Sequence, residues 1–306
     1  MIFMERLFDV TGMGCVSIDY LGKVSAWPDK GLKTPMDTFI IQGGGLVATA
    51  LVTVAKLGGK ARFSGFLGTS PTATSARENL QRAHVDTSLI LHMESAEPII
   101  AMVITEAEKG ERTIFFTKKN VFYPSPDDYT DMEWMKNTRV FLYDSVSEES
   151  GVAMAAEARR LGITTVIDAE RINSCTAEAL HAADHVVVPV AFARKFTGRA
   201  EIKDMLKTLR TREDQAVVIT RGEGGAHALW SDYHFHQPSF PAETIDTTGA
   251  GDIFHGAYAY SIARGKDPFY ACRYAAAAAA LSTLGHGGQA AIPVEEQVLE
   301  LIRQKE

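Results

Sequence analysis

Two patterns of apolar and polar residues alternate along most of the chain. Short apolar runs at residues 140–144, 164–168, 185–188 and 216–220 are rich in Val and Ile and predict buried β-strands. Stretches with helical spacing of apolar positions, such as residues 149–161 and 202–209, separate these runs. Strands that alternate with helices form a parallel sheet with helices on both faces. The pattern therefore predicts an α/β fold.

The same alternation continues toward both ends of the chain. Residues 8–15 predict a first strand, and the Ala- and Val-rich residues 46–57 predict a helix that stops at Gly58 and Gly59. Residues 62–68 and 75–83 predict a further strand and helix. The last third is mostly helical, with predicted helices at 251–264 and 268–284. The second of these contains a run of alanines, whose small side chains allow close packing of helices.

Two regions depart from this alternation. Residues 20–42 are polar and contain two prolines, and residues 98–118 contain a pair of strand-like runs, 99–105 and 112–117, joined by a glycine turn. Both regions predict strands of a small separate sheet inserted into the α/β body. We therefore expect a single domain over residues 1–306 with lid strands at about 20–42 and 98–118.

Composition narrows the class of protein. The chain has 306 residues, of which 46% are hydrophobic and 23% charged, and its net charge is -7. An acidic chain is an unfavourable partner for nucleic acid or an anionic membrane surface. No apolar stretch reaches the ~20 residues of a membrane span. The three cysteines are widely spaced, which is typical of reduced thiols and favours a cytoplasmic location.

The most specific chemical signal is the sequence Asp-Thr-Thr-Gly-Ala-Gly-Asp at residues 246–252, which opens a predicted helix. Backbone amides at the N-terminus of a helix bind anions. A carboxylate beside a bound phosphate is useful when it accepts a proton from an attacking hydroxyl, as Asp252 would. The alternative interpretation is an ordinary helix cap, with Thr248 as the N-cap residue.

The motif at 246–252 and its continuation through Ala257 closely resemble the signature of the ribokinase-like (PfkB) carbohydrate kinases. Further segments match that family in the same order: Asp19 after the first strand, the glycines at 43–45 before an Ala-rich helix, residues 218–225, and the alanines at 274–280. The resemblance covers the whole chain. It implies a ribokinase-like three-layer α/β sandwich with a mostly parallel central sheet and a small β-sheet lid.

The resemblance also implies roles for individual residues. Asp252 would be the general base, and the backbone amides of residues 249–252 would form an anion hole. Asp19 would bind the hydroxyl groups of the sugar substrate. The remaining implied residues are Gly249, Ala250 and Gly251 in the anion hole, Gly43, Gly44 and Gly45 in the sugar site, and Thr220, Gly222, Gly224, Gly225 and Thr248 at the nucleotide. The implied ligands are a sugar, ATP, Mg²⁺ and a monovalent cation such as K⁺, and the lid would form a homodimer interface.

Three positions depart from the family pattern. The Asn-x-x-Glu motif linked to magnesium is replaced by residues 189–192, Pro-Val-Ala-Phe. Metal binding is then left to ATP phosphates, water and Asp168 or Glu170, so the metal residues stay unassigned. The usual asparagines are Ala48 and His255 here, which indicates an acceptor other than plain ribose.

The acceptor itself is less sharply predicted. Some segments resemble the sulfofructose kinase branch, but the loop after residues 140–144 lacks the arginine that a sulfonate requires. A neutral ketose or similar polyol is therefore favoured. A nucleoside kinase, a sulfofructose kinase and a non-catalytic sugar or nucleotide sensor remain the alternatives.

Overall fold

A computed structural model describes residues 6–108 and 112–305 of the chain, which form two β-sheets and nine α-helices within those ranges. The strands, in chain order, are β1 (Phe8–Met13), β2 (Ser17–Val24), β3 (Thr38–Gly44), β4 (Ala61–Leu67), β5 (Asp86–His92), β6 (Ile99–Glu106), β7 (Arg112–Thr117), β8 (Thr138–Asp144), β9 (Thr164–Asp168), β10 (His185–Pro189), β11 (Ala216–Thr220), β12 (Ala226–Trp230) and β13 (Tyr233–Gln237).

The larger sheet has nine strands in the order β13-β12-β11-β10-β9-β8-β1-β4-β5. Seven of them run parallel, and β12 and β13 add antiparallel strands at one edge. The chain builds outward from β1 on one side through β4 and β5, and on the other side through β8 to β11. The strand order therefore reverses at β1 and β8, and ligands bind at the carboxyl ends of strands at such a point.

Helices cover both faces of this sheet. They are α1 (Leu46–Lys56), α2 (Pro71–Arg82), α3 (Glu148–Arg160), α4 (Thr176–Ala182), α5 (Val190–Thr197), α6 (Ile202–Leu209), α7 (Ala250–Ala263), α8 (Pro268–Ser282) and α9 (Glu295–Arg303). One hydrophobic core joins the sheet to α1, α2, α7, α8 and α9, and a second joins it to α3 through α6. The predicted α/β fold with a mostly parallel central sheet is confirmed.

Local sequence explains where several helices begin. The Ser70 side chain accepts a hydrogen bond from the Ala73 amide at 3.0 Å, and Pro71 occupies the first turn of α2. Asp267 caps α8 in the same way through the amides of Phe269 and Tyr270, both at 2.9 Å. None of the helices within the described ranges combines the length and apolar character needed to cross a bilayer.

The smaller sheet, which we call the lid sheet, has the strand order β3-β2-β6-β7. Its register puts Asp19 opposite Gln42 and Ala101, and Ala101 opposite Phe116, so these four side chains share one face. The adjacent row, Ile41, Tyr20, Met102 and Phe115, points to the other face. All six residues of β7 are exposed. The lid sheet therefore carries Asp19 on one face and an apolar row on the other.

The sequence-based boundaries differ from the observed ones in a few places. Four elements were not predicted, because each has only seven to nine residues: the edge strand β5 and the helices α4, α5 and α9. The helix predicted from residue 251 begins at Ala250, and its N-cap is Gly249 rather than Thr248. The capping interpretation of Thr248 is therefore wrong, because a glycine in a left-handed conformation ends the preceding turn.

Candidate active site

The turn before α7 has a backbone that only glycine adopts easily. Gly249 has φ 74° and ψ -1°, in the left-handed region. A Cβ at this position would lie 2.8 Å from the Cα atom of Gly288. Both the dihedral angle and the close approach therefore require glycine, which explains the glycine in the predicted motif.

This turn leaves backbone amides at the mouth of α7. The Ala250 amide donates to the Thr247 carbonyl at 3.2 Å, and the first bond of the helix runs from the Ile253 amide to the Gly249 carbonyl at 2.9 Å. The amides of Gly251 and Asp252 lie between these two bonds, where the first turn of a helix has no backbone acceptor. The positive end of the helix dipole coincides with these amides. The mouth of α7 can therefore hold an anion such as a transferring phosphoryl group.

Asp246 fixes the same turn to a neighbouring loop. Its carboxylate accepts hydrogen bonds from the Thr248 amide at 2.8 Å and from the Gly287 amide at 2.9 Å. Burial alone would raise the pKa of Asp246, but these hydrogen bonds hold it below its ordinary value. Asp246 is therefore ionised at neutral pH and connects residues 246–248 to the loop around Gly287.

Asp252 is a half-buried carboxylate in the first turn of α7. Burial raises its pKa well above the ordinary value, and the charges of Glu170, Asp19 and Asp144 raise it further. Arg112 acts in the opposite direction. A carboxylate with a raised pKa binds a proton more tightly than an ordinary aspartate, which suits a general base.

Asp19 lies across the cleft on the lid sheet. The Ser17 hydroxyl donates to its Oδ1 atom at 2.6 Å, and burial raises its pKa. A Cβ at Gly44 would lie 2.0 Å from Asp19 Oδ2, and a Cβ at Gly43 would lie 1.8 Å from the Nδ2 atom of Asn79. Gly45, with φ 97°, is the N-cap of α1. The three predicted glycines therefore make room for Asp19 and for close packing of β3 against α2.

A further carboxylate, Asp144, joins the two strands where the order of the large sheet reverses. Its Oδ2 accepts from the Cys15 amide at 2.6 Å, and its Oδ1 accepts from the amides of Val146 and Ser147 at 3.0 Å each. Burial raises the pKa of Asp144 to about 6 despite these hydrogen bonds. Nothing local in the sequence points to Asp144, because its partner Cys15 lies 129 residues earlier in the chain.

A cavity of about 560 Å³ opens beside the mouth of α7. Of the residues predicted at the nucleotide or the anion hole, Thr220, Gly222, Gly225, Ala250 and Gly251 line it. Gly224, Thr248, Gly249 and Asp252 are not among the lining residues, although Gly249 and Asp252 directly flank Ala250 and Gly251 in the chain. The opposite wall includes small residues of α8, namely Ala276, Ala279, Ala280 and, after the helix, Thr283. A mostly apolar cavity of this size accommodates a small organic ligand, and its polar end is the amide-rich turn.

The lid sheet reaches across to this cavity through Arg112. The Arg112 Nη1 atom donates to Thr248 Oγ1 at 3.0 Å, and Arg112 itself lines the cavity. Further along β7, the centre of the Phe116 ring lies 4.7 Å from the guanidinium of Arg171, a residue of the loop after β9. Lys118 and Glu148 form an ion pair at 3.7 Å. These contacts bring β7 over the cleft between Asp19 and α7. The sequence alone does not predict this contact, because Arg112 and Thr248 are 136 residues apart.

The described residues do not provide a ready-made metal site, because no group of three or more His, Cys, Asp or Glu side chains within them is arranged to hold an ion. Asp168 lies against His255. Residues 189–192 also lack the Asn-x-x-Glu motif. A divalent ion would have to be bound mainly by nucleotide phosphates and water.

Comparison with known proteins identifies the relationship. The sequence model of the family described as pfkB family carbohydrate kinase matches residues 13–295. Fructokinase-1 of Zea mays is 28% identical over 295 residues, which cover 86% of this chain and 89% of that protein. Ribokinase of Staphylococcus aureus (strain COL) is 26% identical, covering 84% of this chain and 86% of the relative. The structure of Arabidopsis thaliana ribokinase complexed with ribose and ATP superimposes with a TM-score of 0.84 at 22% identity, covering 96% of this chain and 98% of that one.

Proposed function

The chain belongs to the pfkB family of carbohydrate kinases and is an ATP-dependent sugar kinase of the ribokinase-like fold; from this premise we propose that Asp252 is its general base and that its acceptor is a small neutral ketose or a similar polyol. The observation that carries the proposal is the position of Asp252. It follows the amides at the mouth of α7, beside the 560 Å³ cavity, and its pKa responds to the charge of Asp19 on the lid sheet.

Phosphoryl transfer at this site begins with binding. ATP would occupy the cavity between the 222–225 turn and α8, with its terminal phosphate at the amides of Gly251 and Asp252. These donors are fixed by the left-handed turn at Gly249 and by Asp246, so they need no reorganisation as charge builds on the phosphoryl oxygens. Mg²⁺, bound mainly by the nucleotide, would neutralise part of the phosphate charge.

The acceptor hydroxyl would lie between Asp252 and Asp19. Asp252 would take the proton as the hydroxyl attacks, and Asp19 would accept hydrogen bonds from neighbouring hydroxyls of the sugar. A cleft that already contains buried carboxylates repels a negatively charged acceptor. Glu170 adds to this negative charge, since it raises the pKa of both Asp168 and Asp252. These charges support a neutral sugar over a sulfosugar.

Arg112 would provide the opposing positive charge. It donates to Thr248 one residue before Gly249 and lines the cavity, so its guanidinium lies beside the position proposed for the phosphates. A guanidinium suits this position because it binds phosphate oxygens in a bidentate manner. Since Arg112 belongs to the lid sheet and already reaches the cavity, the lid sheet would hold this charge at the phosphate and help to exclude water from the cleft.

The lid sheet suggests a partner for the chain, and the cysteines suggest its location. The face of the lid sheet that points away from Asp19 carries exposed Phe39, Ile41, Met102 and Phe115, and we propose that a second copy of the chain covers it. The three cysteines form no disulfide, and two of them are buried, which fits a reducing cytoplasmic location. Dependence on a monovalent cation such as K⁺, which the family resemblance implies, is tested by varying that cation in the activity assay.

An assay of ADP release with a panel of acceptors tests the proposed function. The panel contains ketoses, aldoses, sulfosugars and nucleosides, each with ATP and Mg²⁺ and with or without K⁺. We expect the largest kcat/KM with a neutral ketose or polyol. Turnover confined to nucleosides would instead identify a nucleoside kinase, and a preference for a sulfosugar would contradict the electrostatic argument. Binding of sugar and nucleotide without turnover would identify a sensor.

A further inference from the structure

A glutamine of the lid sheet lies directly beside Asp19. Gln42 is opposite Asp19 in the register of β2 and β3. Side chains that are directly opposite in an antiparallel pair lie on the same face, with Cβ atoms about 4.5–5.5 Å apart. Gln42 is half-buried, so part of its side chain is open to a ligand. It therefore shares the inner face of the lid sheet with the carboxylate proposed to bind the sugar.

The Gln42 side chain extends over the backbone of the loop around Gly287. A Cβ at Gly287 would lie 2.8 Å from Gln42 Oε1 and 3.4 Å from Gln42 Nε2. A Cβ at the next residue, Gly288, would lie 3.8 Å from Gln42 Nε2 and 3.6 Å from the Cα atom of Gly249. The amide of Gln42 therefore reaches from the side of Asp19 toward the turn that opens α7, which is the region proposed for the acceptor.

The loop itself is held by other residues. The Gly287 amide donates to Asp246 Oδ2 at 2.9 Å. Gln289 Oε1 accepts from Asn79 Nδ2 at 2.9 Å, and Gln289 Nε2 donates to Thr49 Oγ1 at 3.2 Å. These three hydrogen bonds fix the loop to the turn before α7, to α2 and to α1.

The hydrogen-bonding groups of Gln42 are available to a ligand. A side-chain amide has two N–H donors and an oxygen with two lone pairs. Over residues 6–108 and 112–305, the Gln42 side chain makes no hydrogen bond. A polar group that is partly removed from water is stabilised by a hydrogen-bond partner. A bound acceptor with several oxygen atoms would supply that partner.

Gln42 and Asp19 select different groups on such an acceptor. An ionised carboxylate only accepts hydrogen bonds, so Asp19 selects a hydroxyl that donates. The amide N–H groups of Gln42 select an oxygen that accepts, which can be a hydroxyl, a ring oxygen or a carbonyl oxygen. The two side chains together match neighbouring oxygens of a polyol. Because glutamine is uncharged, Gln42 adds no positive charge that would favour a sulfonate.

We propose that Gln42 is a specificity-determining residue of the sugar site, and that its Nε2 atom donates to an acceptor oxygen next to the hydroxyl bound by Asp19. This inference rests on the proposed function, because it concerns the acceptor of the same site. It adds a requirement to the acceptor, which must present at least two neighbouring oxygens to the lid sheet.

The Gln42→Met variant tests the contact, because methionine has nearly the length of glutamine but no N–H donor. Gln81→Met is the matched control, since Gln81 is exposed on α2 and donates to Thr87 Oγ1 at 3.0 Å. ADP release is measured with varied acceptor and with varied ATP. For Gln42→Met we expect the KM for the best acceptor of the panel to rise on the order of tenfold, with the KM for ATP little changed. An unchanged KM for the acceptor would overturn the inference.

Analogues of the same acceptor distinguish a direct contact from a change in the shape of the cleft. Each analogue lacks one oxygen, and one of them has CH₂ in place of the ring oxygen. The wild-type protein should lose kcat/KM with each analogue that lacks a bound oxygen. Gln42→Met should lose this discrimination at a single position and keep it at the others, because the partner of that oxygen is already missing. An equal loss with every analogue would refute the contact.

Binding of the acceptor panel in the absence of turnover separates this inference from the proposed function. Calorimetry with ADP present measures the affinity of the wild-type protein and of Gln42→Met for each sugar. If the wild-type chain phosphorylated no acceptor but bound one, and Gln42→Met bound it more weakly, the proposed function would fail and the inference would stand. Normal turnover with equal acceptor KM values in both proteins would have the opposite meaning. If the wild-type protein bound no member of the panel, both would be wrong.

Discussion

Replacement of Asp252 by Asn tests the proposed base with the smallest possible change of shape. The substitution keeps the size of the side chain and its place in the first turn of α7, but it removes the ability to take a proton at neutral pH. A general base contributes 10²–10⁴-fold to a rate. Because burial and the charges of Glu170, Asp19 and Asp144 raise the pKa of Asp252, we expect a loss in the upper part of this range. A loss of about 10³–10⁴-fold in kcat corresponds to about 4–5.5 kcal/mol of activation free energy.

The same substitution is expected to lower kcat without lowering the stability of the fold. The two measurements therefore separate catalysis from folding. A carboxyl group whose pKa is raised in the folded state stabilises the fold at low pH, and that stabilisation is lost as the pH rises through the folded-state pKa. At pH 8 the ionised Asp252 therefore opposes folding. We expect Asp252→Asn to unfold at a temperature equal to or higher than that of the wild-type protein at pH 8, with a smaller difference at pH 5.

The assays are ADP release at saturating ATP and acceptor, and thermal unfolding at the two pH values. Asp232→Asn is a matched control, because the Asp232 side chain is fully exposed and pairs only with Arg210 at 3.9 Å among the described residues. It makes the same chemical change away from the cleft and should leave kcat unchanged. A kcat for Asp252→Asn within tenfold of wild type would refute the assignment of the base. A large loss of kcat together with a large fall in unfolding temperature would trace the loss to misfolding instead.

Four further changes test other parts of the site and the fold. Asp19→Ala should raise the KM for the sugar by tenfold or more, about 1.4 kcal/mol or above, because a buried carboxylate that accepts hydrogen bonds from the sugar hydroxyls is lost. An unchanged KM would show that Asp19 does not bind the sugar. Arg112→Met should lower kcat by at least tenfold and Arg112→Lys by less, because Met removes the positive charge and Lys keeps it without the bidentate geometry of a guanidinium. Equal kcat values for both variants would argue against contact between Arg112 and the phosphate. Burial lowers the pKa of His185 to about 4, so below pH 6.5 the unfolded chain binds the proton more tightly and the folded state loses stability. His185→Gln should therefore reduce the loss of unfolding free energy between pH 7.5 and 4.5 by at most about 2.5 kcal/mol in urea titrations. Phe115→Lys on the outer face of the lid sheet should shift the chain from dimer to monomer in analytical ultracentrifugation, whereas an exposed apolar face that nothing covers would give a monomer for both proteins.

The fold and the main motif could be predicted from sequence because their signals are local. The buried strands around residues 164–168 and 216–220 are continuous apolar runs, and their observed bounds equal the predicted ones. The turn at Gly249 could be predicted for the same reason, since glycines directly before a helix leave amides exposed. The separate lid strands were visible as a change in pattern.

The parts that sequence analysis missed depend on contacts between distant residues. Arg112 and Thr248 are 136 residues apart, and nothing in the surrounding sequence distinguishes Arg112 from the other 30 basic residues. His255 was noticed only as a departure from the family pattern. The ring nitrogens of His255 lie 2.8 Å from the Gly251 carbonyl oxygen and 3.2 Å from the Val187 carbonyl oxygen, and Nδ1 lies 3.3 Å from Asp168 Oδ2. These three partners come from α7, β10 and β9, so their convergence is a property of the packed sheet and helix. Residues of this kind are found only when the elements are assembled.

The alanines of α8 have a consequence for the choice of phosphate donor. Ala276, Ala279 and Ala280 form one wall of the cavity with side chains of a single carbon, while Ala250, Gly251 and Arg112 lie in another part of its lining, where we propose that the phosphates bind. If ATP binds as proposed, the wall that would face the nucleoside moiety is therefore physically separate from the groups that would act on the phosphates. Enlarging one alanine would narrow the cavity, and replacing one by glycine would admit a bulkier base. In that arrangement, single methyl groups on α8 would change the selection among purine and pyrimidine triphosphates without any alteration of Asp252 or the amides.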